Sequence, residues 1–191
     1  MRTLLDPESV ARGLRRIAGE IVERHAGAPD LVLVAVRRGG IAVARALAHW
    51  LKELEQHEPP LGSVDITLYR DDASTALPNP RIGPSEIPCS LDGKHVLLVD
   101  DVLYTGRTVR AAIDAVMDYG RPRLIELCVL VDRNGRELPI QADYSLKAEA
   151  VKSDERIDVF EDASGLSACV QAKSAPSMPP AAPRPETANR P

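Results

Sequence analysis

The sequence predicts an α/β domain with a central, mostly parallel β-sheet flanked by helices. Short, continuous apolar runs such as Leu31–Val36 are typical of strands that are buried on both faces. These runs alternate with segments whose apolar residues recur at helical spacing, which is the pattern of a parallel sheet with crossover helices. Polar clusters follow three of the predicted strands, at the place where such sheets bind their ligands.

The first half of the chain contains two predicted helices around one buried strand. Asp6 is the expected N-cap of the first helix, with Pro7 at its first position and Glu8 in its first turn. Its apolar stripe is Val10, Leu14, Ile17 and Ile21, and the helix is expected to end near Gly27. The strand Leu31–Val36 follows. The second helix is predicted from the spacing of Ile41, Ala44, Leu47, Ala48, Leu51 and Leu54.

The second half continues the alternation. Residues 64–70 alternate in polarity and predict a second strand, and residues 95–100 predict a third. A helix is predicted from the spacing of Val109, Ala112, Ile113, Val116 and Met117, and Gly120 closes it. Residues 124–132 predict a fourth strand, and two shorter β-like segments follow near residues 142–146 and 157–160.

Two segments are predicted to lack regular structure. Residues 71–93 contain four prolines and two glycines without periodicity, and a loop of this length in a compact domain is usually functional, often a lid. From Ala163 the composition turns to Ala, Ser and Pro, which cannot bury enough apolar surface to order a chain. The sequence therefore predicts one domain over residues 1–162 and a disordered tail over residues 163–191.

Composition excludes several classes of protein. The net charge is −4 and aromatic residues make up 3% of the chain, so neither a general basic field nor a base-stacking platform is expected, and DNA is not an expected partner. The three cysteines are far apart and fit neither a metal motif nor a disulfide framework. The longest apolar runs are too short to span a bilayer, so a cytoplasmic protein without a membrane partner is expected.

The stretch "VLLVDDVLYTGRT" joins a buried strand to a helix through two acids and a small turn. In the turn, Gly106 lets the backbone approach an anion, and the first amides of the next helix point outward without partners. Thr105, Arg107 and Thr108 add donors and charge, so the turn suits one phosphate monoester. The plainer interpretation is an ordinary capped helix. The spacing of a Walker P-loop is absent.

The paired acids need a ligand other than phosphate, which carboxylates repel. Asp100 and Asp101 suit two hydroxyls, or a hydroxyl and Mg²⁺, and a sugar phosphate would meet both the acids and the turn. Receiver domains also pair acids after a strand, but they do so near the N-terminus, which disfavours that alternative. "RRGG" suits a second phosphate group, and Arg70 opens the long loop; both segments are also compatible with ordinary solvated surface charge.

The stretch "VLLVDDVLYTGRT" resembles the phosphoribosyl pyrophosphate (PRPP) motif of type I phosphoribosyltransferases. Together with "DITLYRDD", "GRP" and "VLVDRNGRELPIQADY", it closely resembles the PyrR family of pyrimidine attenuators and uracil phosphoribosyltransferases, over residues 6–160. The resemblance implies a type I phosphoribosyltransferase fold with a flexible hood loop. It also implies that uracil and PRPP give UMP and pyrophosphate with Mg²⁺, and that the protein self-associates as a dimer or higher oligomer.

The resemblance also implies roles for individual residues. Asp100, Asp101 and Arg70, which opens the hood, are the expected catalytic residues, and the two aspartates are the expected Mg²⁺ ligands. The residues expected to bind the ribose and 5′-phosphate are Asp100, Asp101, Val102, Leu103, Tyr104, Thr105, Gly106, Arg107 and Thr108. The pyrophosphate loop is Arg37, Arg38, Gly39 and Gly40. The uracil edge is expected to meet Val131, Asp132 and Arg133, mainly through backbone groups.

Four substitutions relative to related families are informative: two bear on the base and two on RNA. Purine-salvage enzymes carry an acid where this chain has Tyr104 and a lysine where it has Asp132, which points away from purines. RNA-binding relatives carry Thr and His on the first helix, where this chain has Arg15 and Gly19, whereas Arg136 is retained. Arg15 and Arg136 are therefore the two candidate RNA contacts. A uracil-specific enzyme is therefore the first hypothesis. An RNA-binding attenuation regulator with weak catalysis is the second, and a purine enzyme is the third.

Overall fold

The computed structural model describes residues 1–67, 69 and 85–173, which form two sheets and three helices. The helices are α1 (Pro7–His25), α2 (Gly40–Glu55) and α3 (Arg107–Met117). The strands are β1 (Arg2–Leu5), β2 (Leu31–Val36), β3 (Leu61–Val64), β4 (His95–Leu103), β5 (Leu124–Arg133), β6 (Tyr144–Glu149), β7 (Glu155–Asp162) and β8 (Gly165–Ala172).

The larger sheet is parallel and has the strand order β3-β2-β4-β5-β6. Successive residues of β2 point to opposite faces, so Leu33 and Ala35 join the core beneath α1 and α2, whereas Val32 and Val34 join the core beneath α3. All six residues of β2 are buried. The predicted α/β fold with helices on both faces of a parallel sheet is confirmed.

Helix α1 begins and ends as its sequence predicts. The Asp6 carboxylate accepts a hydrogen bond from the Ser9 N–H at 2.7 Å, which is the expected N-cap contact. The helix closes at Ala26, which adopts a left-handed conformation with φ of 53°. Its buried stripe packs on α2, β6 and β8, and Gly13 lies directly against the side chain of Leu146 in β6.

The smaller sheet is antiparallel, has the order β1-β8-β7, and corrects the predicted domain boundary. Residues 165–172 were expected in the disordered tail, yet they form β8, which pairs with β1 on one side and β7 on the other. Within β8, Leu166, Ala168 and Val170 alternate into the main core. The averaged Ala and Ser content hides this alternation. Residues 174–191 lie outside the described residues.

Strand β3 also differs from the prediction, because it ends at Val64 instead of continuing to residue 70. The Asp65 carboxylate accepts hydrogen bonds from the backbone N–H of Thr67 at 2.9 Å and from its hydroxyl, which turns the chain out of the strand. Arg70 and most of the predicted hood loop lie outside the described residues. The end of that loop returns to β3, where Ser63 and Glu86 form a bridge.

None of the helices in the described part of the chain is long and apolar enough to cross a membrane.

Candidate active site

The loop after β2 and the acidic pair at the end of β4 meet at the carboxyl edge of the parallel sheet. Strands β2 and β4 are direct neighbours, with Ala35 opposite Val99. A Cβ atom on Gly39 would collide with the Asp101 carboxylate, and one on Gly40 would collide with the carbonyl oxygen of Val99. The two glycines of "RRGG" therefore allow the loop to pack directly on the acidic segment.

A cavity of about 410 Å³ opens between these two loops. Its lining includes most of the predicted loop residues, namely Arg37, Arg38, Gly39, Asp100, Asp101, Val102 and Thr108. Asp65, Ile66 and Thr67 also line it, although the sequence suggested only the interior of a strand there. The turn formed by Asp65 was the available signal, because Asp followed two residues later by Thr often ends regular structure.

Asp100 and Asp101 are close together but differ in environment. Asp100 is buried, with 5% of its surface exposed, and burial together with the charge of Asp101 raises the pKa of its carboxyl well above the usual value. Its Oδ1 accepts from the Asp101 N–H at 2.9 Å, and Asp101 Oδ1 accepts from the Val102 N–H at 2.7 Å. Carboxylate oxygens in this setting suit hydroxyl donors or a hard cation such as Mg²⁺.

The turn before α3 presents the N-terminus of a helix at the same edge. Gly106 adopts φ of 92°, a conformation that L side chains rarely reach, and α3 starts at the next residue. Thr105 Oγ1 accepts from the Arg107 N–H at 3.3 Å, and the Thr105 carbonyl accepts from the N–H groups of Glu137 and Leu138 at 3.0 and 3.1 Å. The turn is thus held in shape from both sides, and its exposed helix end favours an anion.

The residues predicted to meet the base lie beside this turn. Leu103 pairs with Asp132 across β4 and β5, and the Arg133 guanidinium lies over the Tyr104 ring at 4.2 Å from its centroid. Arg133 also donates to the Lys152 carbonyl at 3.0 Å. Tyr104 is 38% exposed, so its ring is only partly covered by these neighbours.

Arg136, a predicted RNA contact, is directed into the chain. Its guanidinium donates to the carbonyls of Tyr104 and Arg133, at 2.5 and 3.1 Å, and forms an ion pair with Asp132. The other predicted RNA residue, Arg15, lies over the Trp50 ring at 5.6 Å from its centroid. Both side chains therefore have partners within the fold.

Arg37 and Arg38, the two cations of the glycine-rich loop, both line the cavity. The Arg37 guanidinium is held by a residue of β3: Arg37 Nε donates to Ser63 Oγ at 2.9 Å. It also lies 3.7 Å from the exposed carboxylate of Glu86. Arg70, for which a catalytic role is expected, lies outside the described residues.

A parallel sheet that ends in a basic glycine-rich loop, an acidic pair and a helix N-terminus is the arrangement expected of a phosphoribosyltransferase. A family model described as "Phosphoribosyl transferase domain" matches residues 2–164. The fold is similar to a hypoxanthine phosphoribosyltransferase from Staphylococcus aureus, with a TM-score of 0.62 and 22% identity over 81% of this chain and 80% of that one. A hypoxanthine phosphoribosyltransferase from Trypanosoma cruzi has a TM-score of 0.61 and 21% sequence identity, and the match covers 88% of this chain and 95% of that one.

Within this class, the chain belongs to the PyrR family. It is 53% identical over 156 residues to the Bifunctional protein PyrR of Pelotomaculum thermopropionicum, covering 82% of this chain and 86% of the relative. The protein of the same name from Geobacter sulfurreducens is 52% identical, with 84% and 90% covered. That of Enterococcus faecalis is 51% identical, with 86% and 92% covered.

Proposed function

We propose that the chain transfers the phosphoribosyl group of PRPP to uracil, giving UMP and pyrophosphate. Membership of the PyrR family supports phosphoribosyl transfer, and the sequence resemblance to uracil phosphoribosyltransferases supports the choice of base. The observation that carries the proposal is the meeting of three ligand-suited groups around one cavity. These groups are the basic glycine loop, the acidic pair and the N-terminal turn of α3.

The 5′-phosphate would bind on the turn formed by residues 104–108. The first amides of α3 have no intrahelical acceptors, and the helix dipole adds favourable potential for an anion. The hydroxyl of Thr108 borders the cavity and supplies a further donor. Because Glu137 and Leu138 hold the Thr105 carbonyl, the turn is already shaped before substrate arrives.

The ribose hydroxyls would bind the acidic pair. Hydroxyl donors would favour the ionised form of the Asp100 carboxyl, whose pKa is raised by burial and by the charge of Asp101 in their absence. The same oxygens fit the Mg²⁺ that accompanies PRPP, and this ion would neutralise charge on the departing pyrophosphate. Arg38 and the backbone of Gly39 and Gly40 would hold the pyrophosphate from the other side.

The reaction needs positioning and charge stabilisation more than a covalent nucleophile. The bond between C1 of the ribose and the pyrophosphate oxygen breaks, and a bond from C1 to the uracil nitrogen forms, through a transition state with oxocarbenium character. The carboxylates beside the ribose stabilise the positive charge that develops there. The arginines of the glycine loop stabilise the negative charge that develops on the leaving group.

The residues beside Tyr104 support a pyrimidine over a purine. Uracil would lie at the end of β5 against the backbone of residues 131–133. A purine enzyme would present a lysine at position 132, but here Asp132 carries the opposite charge and is paired with Arg136. An acidic residue facing the purine imidazole is likewise replaced by Tyr104, whose ring stacks with Arg133.

The deciding experiment measures product formation from PRPP and Mg²⁺ with uracil, hypoxanthine and guanine offered separately. We expect UMP from uracil and no nucleotide from the purines. The double variant Asp100→Asn/Asp101→Asn should lose turnover while keeping its circular dichroism spectrum. Asp114→Asn is the matched control, because this carboxylate is about half exposed on α3 and forms an ion pair with Arg110. Nucleotide from a purine alone, or no turnover by folded protein, would overturn the proposal.

A second candidate function is regulation of pyrimidine genes by UMP-dependent binding to mRNA. The names of the relatives, which call them bifunctional, favour it. The bonds of Arg136 to backbone carbonyls leave this side chain less available to RNA, whereas Arg15 remains exposed beside Trp50. Binding of a pyrimidine-operon leader RNA, measured against its complementary strand with and without UMP, tests this function. Equal affinity for both strands would reduce it to nonspecific charge attraction.

A further inference from the structure

Four polar side chains meet at the amino edge of the parallel sheet, opposite the candidate active site. His25 is the last residue of α1, His95 is the first residue of β4, and Tyr144 is the first residue of β6. Glu126 lies in β5 between them. His95 and Glu126 are buried, at 3% exposure each, and the proposed transfer reaction uses none of the four.

The polar atoms of this cluster converge on a single point. The Nε2 atoms of His25 and His95 each lie 2.8 Å from Glu126 Oε2, and the three atoms all lie within 4.8 Å of one another. The Tyr144 hydroxyl lies 3.2 Å from the same carboxylate oxygen and 3.5 Å from His25 Nε2. The two imidazole rings approach with centroids 4.3 Å apart.

We propose that His25, His95 and Glu126 form a binding site for one transition-metal dication, with Zn²⁺ as the best match. Two imidazole nitrogens and one carboxylate oxygen are a ligand set that zinc takes in proteins, with a fourth position for water or another oxygen. Imidazole ligands favour zinc and its neighbours over Mg²⁺ or Ca²⁺, which prefer oxygen alone.

The geometry of the cluster needs little change to hold the ion. Zinc bonds of 2.0–2.2 Å place neighbouring tetrahedral ligand atoms roughly 3.4 Å apart. The two nitrogen-to-oxygen separations of 2.8 Å would lengthen by about half an ångström as the metal replaces the imidazole protons, and the two imidazole nitrogens, which lie within 4.8 Å of each other, would move closer together. The Tyr144 hydroxyl is near enough to become the fourth ligand or to hydrogen-bond the carboxylate.

A neighbouring side chain orients the carboxylate of the proposed site. The Arg24 guanidinium lies 3.2 Å from Glu126 Oε1, so it holds the carboxylate oxygen that faces away from the two histidines. Partners of this kind orient metal-bound carboxylates. The His25 side chain is 18% exposed, which provides an entrance from solvent, and Arg24 is more than half exposed, so its charge opposes the ion only weakly.

The site would act on stability and not on the transfer reaction. Asp100 lies five residue steps along β4 from His95, which corresponds to about 16 Å. A metal there would tie the end of α1 to the first residues of β4 and to β5. At a free Zn²⁺ concentration about 100 times the Kd, the melting temperature should rise by about 5 to 10 °C.

The test titrates the full metal-free chain with ZnCl₂ by calorimetry and with CoCl₂ by visible absorption. We expect one equivalent to bind with the absorption of tetrahedral Co²⁺, no competition from millimolar Mg²⁺, and a higher melting temperature with Zn²⁺. His95→Asn and Glu126→Gln should each weaken binding by more than about 100-fold, since even the loss of a supporting partner costs 10- to 100-fold. His57→Asn is the matched control, because this imidazole is exposed near the end of α2.

His25→Asn covers the case in which a buried variant does not fold, because His25 is the most exposed of the three ligands. Its circular dichroism spectrum should match that of the parent chain while metal binding is lost. The proposal is wrong if the parent chain binds neither ion stoichiometrically, which would leave the cluster as a set of hydrogen bonds. It is equally wrong if His25→Asn binds as tightly as His57→Asn.

Discussion

A Cβ atom on Gly39 would overlap the Asp101 carboxylate, so an alanine at this position would push the loop and the carboxylate apart. The absence of a side chain at Gly39 lets the loop after β2 reach the carboxylate, and the Asp101 oxygens occupy the volume that a Cβ would take. At the residue scale, the candidate site therefore depends on what position 39 lacks as well as on the charges around it.

We expect Gly39→Ala to lower kcat/KM for PRPP-dependent turnover by about 100-fold, because displacement of a positioning group by about 1 Å costs that much. The fold should persist, since the change lies at the edge of an open cavity. Steady-state kinetics with circular dichroism measures both. Activity equal to that of the parent chain would show that the loop and Asp101 move apart freely.

Gly19→Ala is the control for this substitution. Gly19 lies within α1, and a Cβ there would meet nothing within 4 Å. Alanine in a helix interior is favoured over glycine by about 1 kcal/mol, so this variant should keep its activity and melt about 2 to 4 °C higher. A lower melting temperature would contradict the open space around this residue.

The three cysteines should differ sharply in reactivity. Burial raises the pKa of the Cys128 thiol to about 12, and Cys169 is also buried, whereas Cys89 is partly exposed. Because the thiolate is the reactive form, we expect iodoacetamide at pH 8 to modify Cys89 alone in the native protein. Peptide mass spectrometry measures the three sites. Equal modification of Cys128 would contradict its burial, and complete modification in urea is the control.

At the element scale, β8 joins the two ends of the described chain. It pairs with β1, where Arg2 lies opposite Val170, and with β7, where Ile157 lies opposite Val170. Its inward side chains also pack beneath α1. An element that the composition assigned to a disordered tail is thus the central strand of a sheet.

Two truncations should separate β8 from the residues that follow it. A chain that ends at Lys173 keeps β8 and should unfold at the same urea concentration as the full chain. A chain that ends at Asp162 loses the central strand, including the buried Ala168 and Val170, and should be unfolded or markedly less stable. Urea unfolding followed by circular dichroism measures both, and equal stability of the shorter chain would restore the boundary at residue 162.

At the scale of the whole molecule, one core connects the two sheets. Leu130 of β5 and Ala168 of β8 belong to the same buried cluster, and α1 contacts both β6 and β8. The smaller sheet therefore has no separate core among the described residues, and the two sheets should not unfold independently.

We expect a single unfolding transition with three coincident probes. Trp50 fluorescence reports on α2, pulsed alkylation of Cys128 reports on the parallel sheet, and pulsed alkylation of Cys169 reports on the antiparallel sheet. In a Cys89→Ser background, all three midpoints in urea should agree, as two-state unfolding requires. Exposure of Cys169 at a lower urea concentration than Cys128 would mean that the smaller sheet opens first.

The sequence predicted the features that depend on neighbouring residues. The cap at Asp6, the buried run of β2 and the acidic pair near the end of β4 are local signals, and the rule that ligands bind at strand ends predicted where the candidate site lies. The features it did not predict depend on pairing between distant residues. Arg2 pairs with Val170, and His25 contacts Glu126, which lies 101 positions later, so no local sequence pattern predicts these contacts.

The ion pair between Asp132 and Arg136 links the residue proposed to face the base to the turn proposed to bind the phosphate. The same Arg136 guanidinium holds the Tyr104 carbonyl, so replacing Asp132 with the lysine of a purine enzyme would set two cations side by side and release that carbonyl. Asp132→Lys alone would disturb the turn at Tyr104 without creating a usable purine contact at position 132. If the proposed function holds, an engineered change of base preference would therefore have to alter positions 132 and 136 together.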